Sequence, residues 1–375
     1  MAAVEVVEVE STAQLKQFIA YPNKLYAGDP NYVTPLLVER KAFFDKKTNP
    51  FYRTATTRLF LAMRDGEVCG RIATCINYRH NEFHQEKTGF FGFFDTPDDE
   101  EISHQLLKVA MIELKKAGME RMRGPFNFST NHEVGFLVDG FDSPPMVMMT
   151  YNKPYQPKLA EKFGLKKVMD LLAYELSSGL EPTDRVSRVL EHRARRTTVT
   201  FRDLDMRHFE RDVAMVKDIY NQAWAANWGF VPMDSDEFDH TAKDLKQIVD
   251  PRIVTIAEDE GRPVGFSLAL PDVNQVLIRL KGRLFPTGLL KLLWYTKVHR
   301  VIDRCRLMIF GVIPEYRSRG IDMMLYAESI RKGREHGYTW GELSWVLETN
   351  DLMRRGVEQM QAKVYKRYRI LEMPL

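Results

Sequence analysis

Between Gly311 and Asp322 the sequence reads Gly-Val-Ile-Pro-Glu-Tyr-Arg-Ser-Arg-Gly-Ile-Asp. Arg317, Ser318, Arg319 and Gly320 stand between an apolar run, Leu307 to Phe310, and a segment whose apolar residues Ile321, Met324, Leu325 and Ile330 recur at helical spacing. Glycine lets the backbone approach a ligand closely, the first N–H groups of a helix have no internal partner, and two guanidinium groups add positive charge. The combination suits an anion such as a pyrophosphate. The plainer alternative is a strand–helix link with surface arginines.

Further on, Gly341 to Glu348 reads as a strand, with Leu343, Trp345 and Leu347 on one face and Glu342, Ser344, Val346 and Glu348 on the other. A carboxylate on a buried strand is costly unless it is paired or at work. Glu342 and Glu348 are therefore candidate general bases, with a salt bridge to a nearby arginine as the alternative. His132 is a third candidate, because imidazole changes charge near neutral pH; a structural role for a loop histidine is its alternative. It lies in a run where Asn127, Ser129, Asn131 and Glu133 crowd among Phe and Gly, a polar density that marks a site more than a linker. No set of His, Cys and carboxylates has metal-ligand spacing and no Gly-x-Ser-x-Gly elbow occurs, so no metal is expected.

The elements that would hold these residues recur. Arg58 to Ala73 and Arg252 to Leu270 each read as two strands around a turn. Each hairpin leads towards a further strand and a helix: Lys87–Asp95 and Glu101–Ala117 in the first half, the Leu307 strand and the Ile321 helix in the second. Each half then closes with an Asn, a helix and a last strand, Asn152 to Leu176 and Asn350 to Leu371. The expectation is an α+β chain of two tandem lobes, each a mixed, mostly antiparallel sheet flanked by helices. The lobes are residues 1–180 and 198–375, joined by a basic helical linker at 181–197. Where the second lobe has Arg-x-x-Gly, the first has Asp95-Thr-Pro-Asp-Asp-Glu-Glu101, with five acids that would repel a phosphate. One anion site per chain is expected, in the second lobe.

Val312-x-Pro314-x-x-Arg317-x-Arg319-Gly320-Ile321 resembles the acyl-CoA-binding motif of the GNAT superfamily of N-acyltransferases, which usually has Gly or Ala where this chain has Asp322. The Asn127–Gly135 run, the Asn227-Trp-Gly-Phe-Val-Pro segment, the Gly-Ile-Asp ending and the two-lobe length are similar to the branch that includes the bacterial ceramide synthases. The resemblance implies that Val312, Ile313, Arg317, Ser318, Arg319, Gly320, Ile321 and Asn350 contact acyl-CoA, the acyl-donor substrate, and that the strands on either side of the motif splay to admit its pantetheine arm. It implies that Trp224, Asn227, Trp228 and Phe230 line an acceptor pocket, to which Asn127, Asn131 and Glu133 of the first lobe are candidate additions. Glu342 or Glu348, with His132 as an outside candidate, would deprotonate an attacking amine. The tyrosine that often protonates the departing thiolate falls near Val357, leaving Tyr365 or Tyr368 as a substitute, or water.

A net charge of +3 over 375 residues, with 44% hydrophobic and 11% aromatic residues, supports full cores and gives no reason to expect nucleic acid. Three cysteines without a Cys-x-x-Cys pair fit a reducing compartment. Met1 to Lys16 lacks the charged-then-apolar order of a signal peptide, and no apolar run approaches the roughly 18 residues a spanning helix needs. A cytoplasmic protein is expected. Residues 279–306 carry eight Lys or Arg (279, 281, 283, 291, 297, 300, 304 and 306) against one acid, Asp303, a local net of +7. Leu289, Leu290, Leu293, Trp294, Val298, Val301 and Ile302 share one face of that segment, the pattern of a peripheral contact with the inner face of a membrane. The expected reaction is transfer of a fatty acyl group from CoA to the amine of a sphingoid-type lipid. The alternatives are a soluble N-acetyltransferase of a small amine or amino acid, and a non-catalytic acyl-CoA-binding module.

Overall fold

The computed structural model describes residues 2–177, 179–180, 183–282, 288, 290, 294–295 and 301–375, apart from the Ser318 side chain. The chain forms two compact units. One comprises Met1–Leu171, Leu277–Leu289 and Lys366–Leu375, the other Leu172–Val276 and Leu290–Tyr365.

The first unit begins with β1 (Glu5–Glu8), α1 (Thr12–Leu25), α2 (Leu37–Phe43) and the hairpin β2 (Ala55–Arg64) and β3 (Glu67–Asn77). Asp65 and Gly66, both with positive φ, make the tight turn that fits the twist of the paired strands. There follow α3 (Tyr78–His84), β4 (Thr88–Asp95), α4 (Glu100–Lys116), β5 (Arg121–Gly124), β6 (Phe126–Asn127), β7 (Glu133–Val134), β8 (Phe136–Asp139), α5 (Tyr155–Phe163) and β9 (Lys166–Ser177). Asp99 caps α4 by accepting from the Ile102 N–H, and the helix buries Ile102, Leu106, Leu107, Ala110 and Leu114 in the core of this unit. The acidic turn is tied up: Asp95 accepts from Arg71 and the Tyr26 hydroxyl, and Arg64 pairs with Asp99 and Glu101.

The second unit holds α6 (Asp184–Ala194), β10 (Val199–Asp203), α7 (Phe209–Trp224), α8 (Ser235–Leu245), β11 (Val254–Asp259), β12 (Arg262–Pro271), the start of α9 (Asn274–Leu280), β13 (Arg304–Val312), α10 (Ile321–Glu335), β14 (Trp340–Leu347) and α11 (Asp351–Gln359). The last strand, β15 (Lys363–Pro374), starts here and ends in the first unit, where it pairs with β5 and β8.

Both units carry an antiparallel run of strands that closes on a parallel pair, with helices packed on the sheet, as the repeat predicts. In the first, the order β1-β2-β3-β4-β5 ends with β4 and β5 parallel at Thr88–Phe90 and Arg121–Arg123. In the second, β10-β11-β12-β13-β14 ends with β13 and β14 parallel at Arg304–Leu307 and Trp340–Leu343. The division differs from lobes at 1–180 and 198–375. The second unit takes over within β9, at Leu172, the 181–197 stretch is largely α6 and belongs to that unit, and the last ten residues return to the first. An alternating pattern specifies that a strand forms and which face it buries, but not which sheet edge it joins.

Candidate active site

The centre of the second unit is the point at which β13 and β14 part. They pair over four residues, and the pairing stops although the strands run on to Val312 and Leu347. On its other side β13 shifts register against β12 between Leu268 and Ala269, so Met308 is an extra residue in the ladder at the point of parting. A bulge of this kind bends its strand and strengthens its twist, and so opens a gap between parallel neighbours. The indole Nε1 of Trp224, at the end of α7, donates to the Phe310 carbonyl at 3.0 Å. Gly311 leaves room for α7, since a Cβ there would stand 3.0 Å from Ala223 Cβ.

The strand runs into a turn and α10. Gly320 has φ +77° and, as the N-cap residue, offers no side chain to the amides of the first helical turn. Val312, Ile313 and Ile321 are buried in the core, which leaves their backbone as the part a ligand could reach. Arg317 braces the turn by donating to the Val312 carbonyl at 3.2 Å and to the Ala223 carbonyl at 2.5 Å. The Arg319 guanidinium lies 4.3 Å from the centre of the Tyr316 ring. The Asn350 side chain caps α11 by accepting from the Met353 N–H at 3.2 Å. Asp322 is half-buried in the first turn of α10.

Where the strands are still paired, Glu342 is fully buried on β14. Ser344 Oγ donates to its Oε1 at 2.5 Å, and the Tyr365 hydroxyl donates to its Oε2. Arg306 lies across the ladder with Nε 3.6 Å from Oε1 and donates to Ser344 Oγ at 2.8 Å. The two expectations for Glu342 therefore meet in one residue: it faces a buried arginine, and it accepts from two hydroxyls through which a proton could pass. Glu348 lies beyond the end of β14, in the turn towards Asn350, so strand alternation does not set it beside Glu342. Burial pushes the Cys305 thiol up to about 12, so it carries almost no thiolate at neutral pH. Ser344 had no assigned role in the sequence reading, and Arg306 was counted with the basic patch at 279–306, whereas the structure buries it beside Glu342. The signal for Arg306 was a cation two residues into a strand that is apolar beyond it, whose parallel neighbour holds one carboxylate.

In the loop after α7, Phe230 is a core residue packed on Tyr220, not a pocket wall. Trp224 and Trp228 are half-buried, and Asn227 sits in the turn between Trp224 and Phe230.

The polar run of the first unit fills that unit's own gap. Asn127 Oδ1 accepts from the Phe93 N–H at 2.7 Å, a Cβ on Gly92 would stand 1.8 Å from the Phe126 carbonyl oxygen, and Phe128 packs on Phe93. Asn127 also donates to Glu133 at 3.0 Å. Burial pushes the Glu133 carboxyl up, but Arg40, paired with it, and the Asn127 bond outweigh this and hold it below the usual range. The His132 ring packs edge-on against Phe43 and Phe51, and Asn131 N donates to Ser129 Oγ. Glu342 and Tyr365 thus come together in the second unit, while His132, Asn127, Asn131 and Glu133 are grouped in the first. Among the described residues, no cluster of three or more His, Cys, Asp or Glu is arranged to hold a metal.

No protein-family model matches the sequence. In fold the chain is similar to a GCN5-related N-acetyltransferase from Sphaerobacter thermophilus (TM-score 0.53, 13% identity, 99% of this chain and 95% of that one). It is also similar to a tandem GNAT protein from the clavulanic acid biosynthesis pathway (TM-score 0.56, 11% identity, 99% and 98%). Two tandem GNAT lobes therefore define the class. In sequence the chain is 37% identical to a bacterial ceramide synthase of Caulobacter vibrioides (strain NA1000 / CB15N), over 100% of this chain and 98% of that protein. It is 35% identical to Protein YghO of Escherichia coli (strain K12), over 96% and 92%. The chain belongs to the family of these two proteins and is an N-acyltransferase of the tandem GNAT type.

Proposed function

We propose that this enzyme transfers a fatty acyl group from CoA to the amine of a long-chain, sphingoid-type base at a membrane surface. The likeness that carries the substrate is the full-length 37% identity to a protein named for ceramide synthesis. The parted strands β13 and β14 give the pantetheine arm a backbone edge to lie along, and the uncapped turn at Gly320 gives the pyrophosphate a seat.

The transfer is direct. The amine attacks the thioester carbonyl, whose oxygen is stabilised by amides of the splayed strand near Val312. Glu342 takes the amine proton, and the CoA thiolate leaves and is protonated from Tyr365 or water. Tyr365 is bonded to Glu342, so one hydrogen-bonded pair is available to both proton transfers. The high pKa of the Cys305 thiol argues against an acyl-enzyme intermediate at that residue.

Membrane contact rests on residues 279–306, half of which (283–287, 289, 291–293 and 296–300) lie outside the described residues. Of the apolar set assigned to it, Leu290 and Trp294 are 68% and 55% exposed. Among the described residues no helix is long and apolar enough to cross a membrane. The test is CoA release and product mass spectrometry with long-chain acyl-CoA, a sphingoid base and liposomes. An N-acylated long-chain base supports the reading. Acetylation of a small soluble amine without long-chain product replaces it with the small-amine reading, and binding of acyl-CoA without turnover on any amine replaces it with a binding module.

A further inference from the structure

Helix α6 is the segment that the sequence reads as a link between lobes. Thr183 caps it, and Val186 is buried beside Tyr326 of α10 with Leu190 packed against the same core. The rest of the helix is largely exposed and basic, and on its own that would be a solvated face. Its far end contradicts so simple a reading. Arg193 donates to the Arg319 carbonyl at 3.1 Å, and its guanidinium atoms stand 3.3–3.5 Å from the point a Cβ on Gly320 would occupy. The basic end of α6 therefore lies on the turn whose amides open at the start of α10.

Beside this contact is a cavity of about 500 Å³, lined among others by His192, Arg193, Arg196, Tyr316, Arg319 and Asp259. Three guanidinium groups and an imidazole thus meet one carboxylate. Asp259 is already engaged, accepting from the Thr198 hydroxyl and from the Tyr316 hydroxyl at 2.7 Å. The Tyr316 ring so fixed carries the Arg319 guanidinium. The cations come from three separate places, the end of α6, the segment after it and the turn before α10. They converge on a space of the size that holds a nucleotide-like group. CoA ends in a pyrophosphate and a ribose phosphomonoester, so a ligand whose first two phosphates sit on the Gly320 turn has a third to place nearby.

We propose that α6 is part of the donor site: Arg193 and Arg196, together with Arg319, bind the phosphorylated nucleoside end of the CoA donor beyond the pyrophosphate seat. This rests on the acyl-CoA reading of the second unit. The helix that the sequence reads as a linker then has a ligand-binding task within the second unit. The cavity also selects for the nucleotide end of CoA over a donor that carries pantetheine alone.

Isothermal titration of the full chain with CoA tests this, using the wild type, the pair Arg193→Ala/Arg196→Ala and the pair Arg193→Lys/Arg196→Lys. The alanine pair weakens CoA binding by about ten-fold or more, the loss expected from removing charged contacts to phosphate. The lysine pair recovers most of it, and the differences shrink in high salt. Equal CoA affinity in the wild type and the alanine pair overturns the assignment of α6 and leaves the donor reading intact. Absence of CoA binding by the wild type overturns the donor reading itself. A loss that lysine does not restore and that comes with a lowered melting temperature assigns the arginines to packing, and overturns the proposal.

Discussion

Replacing Glu342 by glutamine distinguishes a working carboxylate from a structural one, because the shape is kept and the base is lost. A positioned general base contributes about 10²–10⁴ in rate, or about 3–5 kcal/mol on the barrier. The same substitution removes the carboxylate that faces the buried Arg306 at 3.6 Å. Arg306 keeps its bonds to the Ser344 hydroxyl and carbonyl, at 2.8 and 3.3 Å. The stability cost is then about 1–3 kcal/mol, at the lower end for a buried pair that loses one partner, which corresponds to a melting temperature lower by roughly 2–12 °C. The assay is therefore CoA release as a function of pH, run well below the melting transition of both proteins. The expected result is a kcat about 10²–10⁴ lower, with KM for acyl-CoA within about three-fold, since in the proposed reaction Glu342 acts on the amine and the Gly320 turn holds the pyrophosphate. The deficit narrows as pH rises, because more of the amine is then already deprotonated. A folded Glu342→Gln enzyme that turns over within about ten-fold of wild type at neutral pH would refute the assignment. Glu342 would then be no more than the partner of Arg306.

Two further outcomes concern the first unit. Gly92→Ala forces a Cβ onto the Phe126 carbonyl, a backbone atom that no rotamer change can move, and the cost is about 3 kcal/mol or more; a urea midpoint equal to that of wild type would show that the β6–β7 segment does not fill this gap. Burial, then His84 and Arg123, push the pKa of His80 down from 6.5 to about 4. As pH falls from 6.5 towards 4 the unfolded chain takes up a proton at His80 that the folded chain refuses. Stability therefore falls across that window by up to about 3 kcal/mol. Glu86, held below its usual range by Thr88, Arg123 and His80 against the burial that raises it, adds a loss in the same direction at still lower pH. Thermal melts from pH 7 to pH 4 should show a slope that His80→Asn removes, and an unchanged slope in that variant would assign it to other groups.

Most of the fold and the strand–turn–helix at Gly320 were legible in the sequence because each depends on local pattern. The hairpins around Asp65-Gly66 and Glu260-Gly261, the capped acidic start of α4 and the Arg-x-Arg-Gly turn are all written within a few residues of the chain. The gap between β13 and β14 was legible only through the motif resemblance. Its physical origin, one extra residue at Met308, shows itself only once the register against β12 is known. The unit boundaries within β9 and β15 left no local trace, since each strand alternates in the same way on either side of them. The packing role of the polar run in the first unit was hidden for a related reason. Asn127 and Glu133 look like a site because polar side chains crowd among Phe. That crowding satisfies the backbone and charges of a segment packed into a gap, which sequence spacing does not distinguish from a ligand's contacts.

The first lobe keeps the outline of an acyltransferase lobe, but among the described residues the turn and the strand gap that correspond to those of the second are occupied. Its acidic turn is locked by Arg64 and Arg71, and its strand gap is filled by Phe126–Phe128. The chain nevertheless has a reason to retain it. The strand that brings Tyr365 to Glu342 enters the first unit at the very next residue. Lys366 is fully buried there and donates to the carbonyls of Gly140 and Ser143 at 2.6 and 2.8 Å. Arg367 and Arg369 both reach the buried carboxylate of Asp170. In the proposed reaction Tyr365 needs a backbone that does not shift, and Lys366, Arg367 and Arg369, three of the four residues after it, are anchored. Under the proposed roles, the residues that fix the strand beyond Tyr365 therefore serve the reaction without touching a ligand.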